Sequence, residues 1–99
     1  MVPKPLEVDE FEWDDENMVH CGLHDFGPRI AEQVRSRLPL YFKNKAGRRA
    51  TYVMVGPDRS GRSWTIAIQN TDSRGRWRPI TGWLSSPQEV EQYYRTIGR

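Results

Sequence analysis

Residues 51–84 read TYVMVGPDRSGRSWTIAIQNTDSRGRWRPITGWL, and the punctuation of this stretch decides the fold. Thr51 to Val55 is β-branched and aromatic, Gly56 to Gly61 is rich in turn residues, and Ser63 to Gln69 alternates Trp64, Ile66 and Ile68 with smaller or polar side chains. Such period-two alternation marks a strand with one buried face. After the Thr71–Gly75 loop, Trp77 to Leu84 supplies a third strand. Pro79 has no N–H for a ladder, so that strand is expected at an edge or with a bulge. Short connections between the three predict a meander.

Moving outward, Ser86-Pro87-Gln88-Glu89 is a helix start. Ser86 can accept from the first turn, Pro87 suits the first helical position, and Glu89 can reach back to the Ser86 amide. Val90, Tyr93, Tyr94 and Ile97 then form one apolar stripe, and Gly98 ends the helix. On the other side, Leu40 to Phe42 begins a strand, followed by a basic turn, Lys43 to Arg48, that contains Gly47. Pro28 to Leu38 sets Ile30, Val34 and Leu38 four apart, an amphipathic helix closed by Pro39. Glu16 to Leu23 is a helix with acids in its first turn and Asp14 or Asp15 as its cap. Phe11-Glu12-Trp13-Asp14 reads as a short extended segment with two aromatics on one side. The expectation is an α+β fold: a small antiparallel sheet of three to four strands, two N-terminal helices and one C-terminal helix. Residues 1–10 form a flexible acidic arm, and residues 11–99 form the single domain.

A chain of 99 residues has room for one core and no separate cofactor module. No stretch nears the ~20 apolar residues of a membrane span, and the acidic start is unlike a secretory leader. The one cysteine, Cys21, cannot close an internal bridge. A reducing, cytoplasmic setting is therefore expected. The small net charge of +2 conceals segregation along the chain. Residues 1–25 carry eight acids against Lys4 alone, whereas residues 26–99 carry fourteen bases, twelve of them arginine, against five acids. Arginine's planar fork matches phosphate and carboxylate, so the basic part suits a polyanion. A further reading is that the chain's own acidic arm folds over this surface.

The landmarks, taken in order, resemble the BrnT family of small bacterial toxins, which have a RelE-like ribonuclease fold. They are Phe11-Glu12-Trp13-Asp14, then Asn17, His20 and His24, a Tyr52–Gly56 strand, Gly61-Arg62, Trp77-Arg78-Pro79-Ile80-Thr81, and a tyrosine in the last helix. The resemblance covers nearly the whole chain after the arm. It implies cleavage of RNA and control by a cognate antitoxin protein. The chain departs from the family pattern at Ile80-Thr81-Gly82-Trp83, where an indole replaces a basic residue, and at Leu23-His24-Asp25, where a lysine is missing.

Cleavage of RNA by its own hydroxyl needs a base, an acid and cations around the phosphate. His20 and His24, four apart, are the candidate acid and base, with His24 preferred. Arg78 joins them, because a charge between the inward-facing Trp77 and Ile80 needs a specific partner: either a phosphate or an internal carboxylate such as Asp14. Arg49, Arg62 and Arg76, at or near strand ends, are candidate phosphate contacts. Trp83 and Tyr94 are candidate stacking platforms, while most other large aromatics are expected in the core. The His20/His24 pair with Cys21 and Glu16 lacks the pattern of a zinc site, and Gly56 to Gly61 lacks a phosphate-loop ending, so neither metal nor cofactor is expected. The rival expectation is a noncatalytic module of the same fold that binds nucleic acid or protein.

Overall fold

The computed structural model describes residues 2–98. In chain order the elements are β1 (Glu10–Phe11), α1 (Asp15–Gly22), α2 (Pro28–Arg35), β2 (Leu40–Lys43), β3 (Tyr52–Pro57), β4 (Ser63–Asn70), β5 (Arg76–Leu84) and α3 (Pro87–Thr96). The architecture is α+β. The meander is present, with β2, β3, β4 and β5 antiparallel and adjacent. The sheet nevertheless differs from the expected three or four antiparallel strands. It has five strands, ordered β1-β5-β4-β3-β2, and β1 lies parallel to β5 with Glu10 opposite Arg76 and Phe11 opposite Trp77. The added strand is the acidic segment drawn to a basic strand far along the chain, a pairing that local periodicity does not encode.

Pro79 falls at a bulge. Ala67 pairs with Thr81 and Ile68 with Pro79, which leaves Ile80 as the extra residue. The second helix is shorter than its sequence pattern. It stops at Arg35, and Leu38, expected on the apolar stripe, stands outside the helix at φ 54° and is 86% exposed. A residue that precedes proline is disfavoured in the helical region, and Pro39 follows directly.

The sheet buries its two faces differently. On one face Met54, Trp64, Ile66 and Ile68 pack with Phe26, Ala31, Val34 and Cys21 from α1, α2 and their connection. Gly82 opens room for this contact: a side chain there would sit 2.7 Å from the Phe26 ring. Residues 2–9 have no helix or strand, yet Leu6 and Val8 pack against this same cluster. Lys4 donates its amide to the Tyr41 carbonyl at 2.7 Å, and Asp9 donates to Gly75 at 2.7 Å, so the segment crosses from the β2 edge to the start of β5. On the opposite face Phe42, Val53, Val55 and Ala67 meet Tyr93 of α3, whose hydroxyl donates to the Leu38 carbonyl at 3.0 Å. α3 is a single ten-residue helix and covers only part of this face.

The β3–β4 connection is organised by Asp58, which is 1% exposed. One carboxylate oxygen accepts from the Ser60 amide, the Ser60 hydroxyl and the Arg62 amide, at 2.7 to 3.0 Å. The other accepts from the Trp64 indole at 2.9 Å. Burial alone pushes this carboxyl up, but these hydrogen bonds outweigh it and hold the group down at about 2. Replacing Asp58 with alanine leaves a buried indole donor and two turn amides without their acceptor. The expected loss is ~3 kcal/mol in urea unfolding, and a change below ~1 kcal/mol would show that water substitutes for the carboxylate.

Candidate nucleic-acid interface

Asp14 caps α1 through a reciprocal pair. Its carboxylate accepts from the Asn17 amide at 3.1 Å, and the Asn17 side-chain oxygen accepts from the Asp14 amide at 2.8 Å. The buried Asn17 amide group then donates to the carbonyls of Glu12 at 2.9 Å and Pro79 at 3.0 Å, which fixes α1 against β5. Into the same carboxylate runs the Arg78 fork, at 2.7 and 2.9 Å. Arg78, whose side chain is only 11% exposed, also touches Glu12 at 3.3 Å and Glu16 at 3.8 Å. The specific partner expected for Arg78 is therefore internal: Asp14. The Arg78 fork and the Asn17 amide hold the Asp14 carboxyl down at about 2, and the pairing raises Arg78 in turn.

The other expected cations divide. Arg76 faces Glu10 and Glu12 at 3.8 and 3.7 Å, and Arg74 beside it pairs with Glu7. Arg62 pairs with Asp58 at 3.5 Å and lies over the Trp64 ring, near α2 and away from α1. Arg76 and Arg62 are thus separated from one another and individually partnered. Tyr94 packs against the α3-side core, edge-on to Tyr93. Arg49 and Trp83, in contrast, line one common cavity of about 560 Å³.

That cavity is the part of the sheet face which α3 leaves open. Val53, Ala67, Ile80 and Thr81 form its floor. The β2–β3 connection supplies Lys43, Lys45, Arg48 and Arg49 at its rim, and Trp83, 40% exposed, borders it with Glu89. Of these cations, Lys43, Lys45 and Arg48 have no carboxylate partner among the described residues. Arg49 faces Glu16 at 3.6 Å, both side chains being more than half exposed. Such a contact is screened and easily exchanged. A smaller cavity of about 120 Å³ adjoins the groove, sharing Arg49 and Ile80 with it and adding Glu16, Asn17, His20 and Arg78.

The two histidine rings lie 5.4 Å apart between centroids. His20 is on α1 and reaches the smaller cavity, whereas His24 lies in the turn after the helix and does not line it. Cys21, between them in sequence, is buried, and burial pushes its thiol up to about 11, which removes it as a nucleophile. No helix among the described residues is long and apolar enough to cross a membrane.

Set against protein-family models, curated proteins and solved structures, this chain matches none. The site is therefore read from its own geometry. Sequence reasoning missed Lys43, Lys45 and Arg48 as site residues, although their basic turn adjoins Arg49. It read Glu89 only as a helix cap. The available signal was a dense basic turn with no acid nearby in sequence, but which cations stay unpaired depends on contacts spanning more than sixty residues, as between Asp14 and Arg78.

A carboxyl held low in the folded state contributes stability above its unfolded value and loses it as pH falls. For Asp14 that window runs from 3.8 down to about 2. Asp14→Asn keeps a capping oxygen but removes the charge facing Arg78. Its urea midpoint is expected to lie below that of the unmodified chain at neutral pH, with the two converging across this acid window. A constant gap at all pH values would mean that the Arg78 pair carries no linkage.

Proposed function

We propose that this domain holds single-stranded RNA in the groove beside α3 and cuts it next to His20, as an endoribonuclease of the BrnT toxin type restrained by an antitoxin protein. One observation carries the reading: three cations without a carboxylate partner among the described residues, Lys43, Lys45 and Arg48, and the exposed indole of Trp83 border the same groove. Phosphates can pair with Lys43, Lys45 and Arg48 without first displacing an internal acid, and a base can stack on Trp83. In the adjoining cavity His20 is the group to draw the proton from the attacking 2′-hydroxyl, and Arg49 the cation to stabilise the crowded phosphate. His24, one ring away, is the candidate to protonate the departing oxygen. A sheet with one helix-covered face and one partly open face also suits the RelE-like reading.

A second reading, RNA binding without cleavage, is favoured by one contact. Asp14 occupies the Arg78 fork, so that Arg49 is left as the main guanidinium for a phosphate in the small cavity. Binding and degradation assays on a short labelled RNA separate the two readings. Contact with three phosphates gives a slope of log affinity on log salt of about −2, and Arg48→Glu is expected to weaken binding about tenfold. Cleavage predicts that His20→Ala still binds but leaves the RNA intact. RNA bound yet uncut by the unmodified protein eliminates the nuclease reading, and absence of binding at low salt eliminates both.

A further inference from the structure

Trp83 and Glu89 form a unit that extends the capping box of α3. The Trp83 indole donates to Glu89 Oε1 at 3.1 Å, and the Ser86 amide donates to the same oxygen at 2.7 Å. Two donors on one oxygen fix the carboxylate at the edge of an exposed aromatic ring. The second oxygen, Oε2, has no hydrogen bond among the described residues. It is also not a buried unpaired atom, so it remains open to solvent, and Glu89 borders the groove. Among the described residues, Glu89 is the only acid lining a groove that is otherwise rimmed by four cations. A lone carboxylate there weakens attraction for phosphate, and its open oxygen suits a hydrogen-bond donor instead.

Resting on the RNA-binding reading above, we infer that Trp83 and Glu89 form a guanine-selective base subsite. A base stacked on the Trp83 ring brings its hydrogen-bonding edge beside the carboxylate. Guanine offers two adjacent donors, N1–H and the N2 amino group, both of which can point at Oε2. Adenine and cytosine each offer an amino group next to a ring-nitrogen lone pair, which the carboxylate repels. Uracil offers one N–H flanked by two carbonyl oxygens and fares worst. Stacking adds to the same order, because a purine covers more of an indole than a pyrimidine does. Discrimination therefore comes from the one anionic residue in the groove, while the cations supply affinity that is indifferent to sequence.

The test uses the full chain and labelled oligouridine hexamers that carry guanine, inosine, adenine, cytosine or uracil at one central position, read by fluorescence anisotropy at low salt. Guanine is expected to bind about tenfold tighter than uracil, as for one good two-donor contact, with inosine in between because it lacks the amino group. Glu89→Gln keeps an oxygen for Ser86 and Trp83 but turns a donor toward the base, so it should lower affinity for guanine about tenfold while uracil, relieved of the negative charge, binds as well as before or slightly tighter. Inosine, tested on the unmodified chain, keeps the inference exposed to failure even where the variant loses its cap. All hexamers binding equally would overturn guanine selectivity and leave the RNA groove standing. Equal losses for guanine and uracil in Glu89→Gln would do the same. No binding by any hexamer would overturn both.

Discussion

A single carboxylate, that of Asp14, holds the arrangement together. It caps α1, accepts both prongs of Arg78 and, through its exchange with Asn17, brings the Asn17 amide to the Pro79 carbonyl at the β5 bulge. Helix start, strand bulge and ion pair thus close on one another over a few ångströms. The arginine fork and carboxylate meet in the bidentate geometry that gives the strongest such pairs. Because Arg78 is largely shielded while Asp14 is half exposed, removing Asp14 leaves the guanidinium poorly solvated, whereas Asp14 without Arg78 stays in contact with water.

This contact also decides where the basic surface is available. Residues 7–16 lay acids along β5, so Arg74, Arg76 and Arg78 face Glu7, Glu10, Glu12 and Asp14 in succession. Most of these pairs are exposed and add little stability individually. Their larger effect is electrostatic, since the acids offset the charge of the basic strand and leave cations of the β2–β3 connection unmatched. The net charge of +2 is therefore a poor guide to a surface on which, among the described residues, Lys43, Lys45 and Arg48 stay unpaired at the groove while the β5 arginines are matched by acids.

The unequal cover of the sheet follows from the number of elements on each side. α1, α2 and the segment before β1 together seal one face, with Trp64 and Phe26 at its centre. Among the described residues the other face has α3 alone, anchored by Tyr93, and Val53 of β3, Ala67 of β4 and Ile80 of β5 form the floor of the part left open. Trp83, on this face, borders the open part as an exposed indole at the end of β5.

Much of the fold was legible because its signals are local. The alternation of Trp64, Ile66 and Ile68, the Ser86-Pro87-Gln88-Glu89 helix start and the Pro79 bulge each depend on neighbours within a few residues, and backbone sterics and hydrogen bonding act over that range. By itself the sequence determined the helices, the meander, the acidic and basic halves, and Arg78's need for a partner. The tertiary structure alone decided that β1 joins in parallel, that Arg76 and Arg62 stand apart and paired, and that Lys43, Lys45, Arg48 and Trp83 share a groove. The reason is the distance dependence of charge interactions: whether an arginine is free depends on which carboxylates lie within ~4 Å in space, and separation along the chain does not encode that.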